Sequence, residues 1–166
     1  MSCIIRPLVP EDEPFLWEML YQALYVPVGQ AVLSYEVIYL PELARYVKGW
    51  GQPSDCGFLA SDATTGQPVG AVWLRLLKNE NKGYGYVDDD TPELSIAVLP
   101  EYQGQGIGTE LLNCLVASVC EHSSISLSVS EGNPATRLYE RFGFEVVSGS
   151  AGSFTMKRDS KLIMLG

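Results

Sequence analysis

The chain has 166 residues, 46% of them hydrophobic and 19% charged, with a formal net charge of −9. That length predicts one domain, residues 1–166, with a core large enough to fold unaided, and the composition excludes a disordered chain. The acidic balance, with no basic patch in view, argues against a nucleic-acid binder and favours a cationic partner such as an amine.

The four cysteines, Cys3, Cys56, Cys114 and Cys120, form no C-x-x-C pair, and His122 is the one histidine. No metal site is expected from such a set. Scattered thiols point to a reducing compartment rather than to paired disulfides. The start, Met1-Ser-Cys-Ile-Ile-Arg, does not read as a signal peptide, and the uncharged run Leu111–Cys120 is too short to cross a membrane. A soluble cytoplasmic protein with no membrane partner is the expectation.

In chain order, Cys3 to Arg6 reads as a strand closed by Pro7. Pro10-Glu11-Asp12-Glu13 opens a helix, with acids where the helix dipole favours them. Phe15, Leu16, Met19, Leu20 and Ala23 mark its buried face, and Pro27-Val28-Gly29 is expected to end it. Val26 to Tyr39 is irregular. A second helix is predicted from Leu40-Pro41-Glu42, with Leu43, Tyr46, Val47 and Trp50 on its apolar side. Cys56 to Ser61 and Pro68 to Leu77 read as a hairpin. Lys78 to Thr91 is a loop holding Gly83-Tyr84-Gly85-Tyr86 and Asp88-Asp89-Asp90.

Glu93 to Val98 is a short apolar strand between Pro92 and Pro100. After it comes Gln103-Gly104-Gln105-Gly106-Ile107-Gly108, then an apolar run from Leu111 to Val119 at helical spacing. Glycines at every second position let the backbone turn tightly and approach a ligand. The helix that follows offers unpaired N–H groups and a positive dipole end, which makes an anion site. A P-loop would need Lys before Ser or Thr, and here Thr109 and Glu110 follow Gly108. The dinucleotide fingerprint needs a third glycine where Thr109 stands. A nucleotide-binding redox protein therefore fails on glycine spacing.

Ser124 to Val129 is a further strand. Asn133 and Pro134 suit the start of another helix, on which Ala135, Leu138 and Phe142 share a face and which Gly143 ends. Phe144 to Ser148 and Gly152 to Lys157 are the last strands. The order β-α-α-β-β-β-α-β-α-β-β predicts an α/β (α+β) fold with a mixed sheet flanked by helices.

The pattern Gln103-x-x-Gly106-x-Gly108 after an apolar strand resembles the acyl-CoA signature of the GNAT superfamily of N-acyltransferases. Asn133 to Phe144, NPATRLYERFGF, resembles that family's second region, in which an Asn begins a helix carrying a Tyr and ending in Phe-Gly-Phe. The element order is similar to the family's fold along essentially the whole chain. The resemblance implies transfer of an acetyl or other acyl group from acyl-CoA to an amine.

It further implies that the co-substrate is held at Gln103, Gly104, Gln105, Gly106, Ile107, Gly108 and Thr109, with its pyrophosphate on the backbone N–H groups of Gln105 to Thr109. Ile96 and Val98 lie on the strand that splays from its neighbour in the family, with the Val98 N–H at the oxyanion, and Asn133 joins the same cofactor site. Gln103 and Gln105 stand where the family often has Arg or Lys. Arg137 and Arg141 are candidates for the 3′-phosphate.

Tyr139 is the candidate for the leaving thiolate. A phenol near 10 against a thiol near 8.5 makes full proton transfer uphill by about 2 kcal/mol, so a hydrogen-bond donor is the better reading. Glu93 is the candidate base, its pKa raised by burial or by Asp88–Asp90. No Cys sits in either signature, so direct attack in a ternary complex is expected. The acceptor is expected to be a small amine or amino-acid-type molecule, with a protein amine second. A non-catalytic acyl-CoA-binding sensor is the alternative. The apolar tail Leu162-Ile163-Met164-Leu165 is expected to cover the sheet or to join a homodimer.

Overall fold

The computed structural model describes residues 2–118 and 124–159. Strand β1 (Cys3–Pro7) leads into a 3-10 turn at Pro10–Asp12. Asp12 fixes that turn by accepting the Val9 N–H at 2.9 Å and pairing with Arg6 at 2.8 Å. Helix α1 (Glu13–Ala23) buries Leu16, Met19 and Leu20, three positions on one face of a 3.6-residue period. It stops at Ala23, because Leu24 is already extended and turns its N–H back to the Tyr21 carbonyl. The expected continuation to Pro27 is absent, and Leu24, Tyr25 and Val26 are set free to line the clefts described below.

Helix α2 (Pro41–Ala44) is a single turn, not the longer helix predicted from the apolar spacing. The predicted inward positions Tyr46, Val47 and Trp50 are nevertheless buried. The carbonyls of Arg45 and Lys48 are taken by the Arg75 guanidinium, at 3.1 and 2.6 Å, in place of amides further along a helix. Tertiary hydrogen bonding thus replaces helical bonding while the apolar face stays inward.

Strands β2 (Cys56–Asp62) and β3 (Pro68–Arg75) form the expected hairpin. Then follow β4 (Glu93–Val98), α3 (Ile107–Ala117), β5 (Ser124–Ser130), α4 (Ala135–Arg141), β6 (Glu145–Ser150) and β7 (Ser153–Asp159). The predicted order holds, with seven strands arranged β1-β2-β3-β4-β5-β7-β6. Every pairing is antiparallel except β4 with β5, which are joined by the α3 crossover. β3 lies centrally and is buried along nearly its whole length.

The sheet is covered on both faces. One core gathers Leu111, Leu112 and Leu115 of α3 with Val72, Leu74, Leu94, Ile125 and Leu127. The other gathers Leu16, Met19 and Leu20 of α1 with Tyr46, Ala71 and Trp73. Each such large side chain, fully buried, contributes about 1.5–3 kcal/mol. No helix among the described residues is long and apolar enough to cross a membrane. Cys3 and Cys114 are free thiols, whereas Cys56 is disulfide-bonded, so the expectation of four scattered thiols fails at that position. Cys120, His122 and the tail Leu162–Leu165 lie outside the described residues.

Candidate active site

β4 and β5 pair at one register position, Glu93 with Ser126. The Ser126 N–H reaches the Pro92 carbonyl at 3.0 Å, and beyond that point the strands part. The Leu99 N–H donates to Val69 of β3 at 2.8 Å. Alternation along the strand then turns the backbone groups of Ile96 and Val98 the other way, toward β5, where no strand meets them. The Val98 carbonyl is taken by the Gln103 side chain, whose Nε2 donates at 3.0 Å. The N–H groups of Ile96 and Val98 face an open gap.

Two clefts meet in that gap. One, of about 600 Å³, is lined by Ile96, Val98, the turn Gln103–Gly104, Gly106 to Thr109, and α4. The other, of about 390 Å³, is lined by Tyr46, Tyr84, Ser95, Ser128 and Ser130 among others. Ala23, Leu24, Tyr25, Ile96, Asn133 and Tyr139 belong to both. The volumes are those of small-molecule sites. No Asp, Glu, Lys or Arg lines the second cleft.

The glycine turn builds the floor of the first cleft. Gly104 and Gly106 sit at φ 78° and 84°, a left-handed conformation that costs other residues about 1–2 kcal/mol. A Cβ at either would meet nothing within 4 Å, so the space over the turn is open. Gly106 precedes α3, which has no side-chain cap. The Glu110 N–H bonds back to the Gly106 carbonyl, which leaves the N–H groups of Ile107, Gly108 and Thr109 without helical partners. Together with the dipole of an 11-residue helix, they form an anion-accepting end. The Ile107 side chain itself is core, so its contribution to the cleft is its backbone.

Tyr139, on α4, is 9% exposed and packs edge-on to Phe144 at 6.0 Å. Its hydroxyl has no hydrogen-bond partner among the described residues, and burial alone pushes the phenol up to about 12. Asn133 holds the start of α4, its Oδ1 accepting the Ala135 N–H at 2.9 Å. Its amide nitrogen is left for the clefts.

Glu93 is 2% exposed and does not line either cleft. Its Oε1 accepts from the Tyr46 hydroxyl and the Gly85 N–H, and its Oε2 from the Gly83 N–H, each at 2.9 Å. Desolvation raises its pKa, and those same donors and Arg45 oppose the rise. Asp88–Asp90 play no part in that shift. Asp88 instead accepts from the Asp90 N–H and the Thr91 hydroxyl, and Asp89 from the Tyr86 hydroxyl, so the acidic run shapes its own loop.

Of the residues singled out in the sequence, Ile96, Val98, Gln103, Gly104, Gly106, Ile107, Gly108, Thr109, Asn133 and Tyr139 come together at the first cleft. Gln105 does not line it, nor does Arg137, whereas Arg141 does. Sequence reasoning missed the C-terminal end of α1 and Tyr46 as cleft-lining residues. It also assigned no role to Gly83 and Gly85. A Cβ at Gly83 would collide with the Glu93 carboxylate and the Tyr46 hydroxyl, and one at Gly85 with the backbone of β5. The signal available was that spacing, two glycines flanking a tyrosine beside a strand that begins with Glu.

This geometry has relatives. A [ribosomal protein bS18]-alanine N-acetyltransferase of Haemophilus influenzae is 38% identical over 81 residues, 45% of this chain and 55% of that protein. The chain thus matches about half the length of this curated relative. The PaiA N-acetyltransferase of Thermoplasma acidophilum, solved in complex with coenzyme A, superposes with a TM-score of 0.66 at 21% identity, covering 96% of this chain and 99% of that one. The spermidine/spermine N-acetyltransferase SpeG of Vibrio cholerae gives 0.59 at 22% identity, over 94% and 91% of the two chains. A model of the acetyltransferase (GNAT) family matches residues 17–144. With that match over most of its length, and with the parted strands and glycine turn in place, the chain belongs to the GNAT acetyltransferase family.

Proposed function

We propose that the protein transfers an acetyl or similar acyl group from acyl-CoA to an amine, by direct attack in a ternary complex. The observation that carries this reading is the meeting of two clefts at Ile96, Asn133 and Tyr139. The first cleft suits the co-substrate. Its anion-accepting helix end would take the pyrophosphate, the free N–H groups beside β4 would take the amide-like arm, and Arg141, a cation in its lining, would take a further phosphate. The second cleft brings an acceptor to the same gap from the other side.

In the step itself the amine nitrogen forms the C–N bond as the C–S bond breaks, and the electron pair of that bond leaves on sulfur. The Val98 N–H is aimed where the carbonyl oxygen gains charge. Tyr139 donates a hydrogen bond to the departing sulfur. Its raised pKa, about 12 against about 8.5 for a thiol, makes full transfer uphill by about 5 kcal/mol, so the donor role stands over that of a proton source. The amine proton passes to solvent or, through the Tyr46 hydroxyl, to Glu93, since the carboxylate is reached from the cleft by that hydroxyl.

The acceptor is a small amine or amino-acid-type molecule. A protein amine is the second reading, favoured by the curated relative that acts on an alanine of a ribosomal protein. A cytoplasmic site of action accompanies the proposal, because acyl-CoA is an intracellular co-substrate. The test is thiol release from acetyl-CoA across a panel of small amines, amino acids and short peptides. Acceptor-dependent release is expected. Release no faster than hydrolysis with every acceptor would leave the chain a non-catalytic acyl-CoA binder.

A further inference from the structure

A third pocket, of about 430 Å³, lies between the turns after α2 and the end of β3, and it shares no lining residue with the two clefts. Arg45, Lys48, Arg75 and Lys78 line it, four of the eleven Lys and Arg in a chain that carries 20 Asp and Glu. Asp55 is its one carboxylate. That charge is already matched, since Asp55 holds Arg75 in a two-point pair at 3.2 and 2.9 Å and accepts the Gly51 and Gln52 N–H groups. Arg45, Lys48 and Lys78 make no ion pair among the described residues. Three cations without a contact ion pair therefore line one concave space in an otherwise acidic protein, with Arg45 also in the field of the buried Glu93. Gln52, Ser54 and Asn81 add neutral hydrogen-bonding groups to the same wall.

We propose that this pocket binds a small phosphate-bearing anion and that the bound anion steadies the loop shaping the second cleft. A phosphate monoester near neutral pH carries close to two charges and several acceptor oxygens, which suits three cations of differing reach better than a single carboxylate does. The link to the loop runs through Arg45. Its Nη1 donates to the carbonyls of Lys82 at 2.5 Å and Glu80 at 3.4 Å. The next residues, Gly83 and Gly85, hold Glu93 through their N–H groups, and the Tyr84 N–H bonds to the Tyr46 hydroxyl at 2.7 Å. Tyr46 and Tyr84 line the second cleft. Arg75, under the pocket, is also the register partner of Glu93 across β3 and β4. An anion that orders Arg45 thus orders the 80–85 stretch on the far side.

The test is calorimetric titration of the full chain with glycerol phosphate, inorganic phosphate and succinate, with hydrogen exchange of the Gly83, Tyr84 and Gly85 amides as a second readout. One site tighter than about 10 mM is expected for the phosphate compounds, and weaker binding for succinate. The double variant Lys48→Gln/Lys78→Gln changes two exposed side chains, so it keeps the fold, and it is expected to weaken binding by at least about tenfold. Arg141→Gln should leave binding unchanged. Tighter binding of glycerol phosphate than of phosphate would identify an esterified ligand, and the reverse the free ion. No binding, loss in Arg141→Gln with retention in the double variant, or equal binding of succinate each overturns the phosphate site. Binding without slower exchange at the three amides overturns the coupling. Neither readout involves catalysis, so the result stands or falls apart from the proposed reaction.

Discussion

Glu93 and Ser126 face each other at the single register pair of β4 and β5, and their polar groups have opposite fates. Glu93 is bonded to three donors, whereas the Ser126 Oγ is buried with no partner among the described residues. A buried hydroxyl without a partner costs stability. Ser126→Ala is therefore expected to stabilise the protein by about 1 kcal/mol, read from urea denaturation, and to leave turnover unchanged. A loss of stability would mean that an ordered water serves this hydroxyl.

Glu93→Gln should destabilise the fold by about 1–3 kcal/mol, because an amide turns an N–H toward one of the glycine N–H groups or the Tyr46 hydroxyl. The pH dependence separates burial from bonding. Burial raises the folded-state pKa above the ordinary 4.5, so the folded form binds more protons than the unfolded one in that window. Stability from this group is fully present below pH 4.5 and declines as pH rises through the raised value. The variant should lack that decline in a denaturation series from pH 4 upward. If Glu93 receives the amine proton, its loss also lowers turnover and removes the acidic limb of the rate profile. An unchanged rate profile would leave Glu93 as the anchor of the 83–85 loop alone.

Tyr139→Phe should lower turnover by at least about tenfold with little change in acyl-CoA affinity. The hydroxyl bonds to nothing among the described residues, so the melting temperature should hold or rise slightly. With the phenol pushed up to about 12, no alkaline fall in rate below about pH 11 belongs to its ionisation. Equal turnover in the variant would remove Tyr139 from the reaction.

Gly106→Glu should abolish acyl-CoA binding while the chain stays folded. The new Cβ meets open space, so the cost to the fold is the left-handed φ of 84°, about 1–2 kcal/mol. The carboxylate would project over the helix end and repel the anion meant for it. Calorimetry on a variant of normal circular dichroism decides this; retained binding would move the co-substrate elsewhere.

Asp55→Ala should destabilise by about 3 kcal/mol or more, because it strands a guanidinium that is 6% exposed. Arg75 also caps the carbonyls of Arg45 and Lys48 and lies 5.6 Å over the Trp50 ring, so the turns after α2 should loosen first in hydrogen exchange. A loss below about 1 kcal/mol would mean that the pair is solvated.

The element order and the glycine turn were legible because they depend on local spacing: Pro92 and Pro100 bound β4, and Gly104 and Gly106 supply the turn that α3 needs. The parting of β4 and β5 was available only through the family resemblance, since Leu94, Ile96 and Val98 read as a buried strand whether or not a neighbour is paired with them. The short α2 was hidden for the same reason. Tyr46, Val47 and Trp50 keep helical spacing, but Arg75, thirty residues on from Arg45, decides where the carbonyls go. Of the two causes open for a raised Glu93 pKa, burial is the one present, and Asp88–Asp90 bond within their own loop, which a charge run does not reveal from sequence.

The uncharged lining of the second cleft sets a condition on whatever amine enters it. With no carboxylate to hold an ammonium, entry would favour the free base, so the ammonium proton is lost before binding and only the proton released as the amide forms is left for the site to pass on. At pH 7 an α-amine, with a pKa near 8, has roughly 230 times the free-base fraction of an alkyl amine near 10.4. On the proposed reaction, the wall of serines and tyrosines would sort acceptors by basicity ahead of shape.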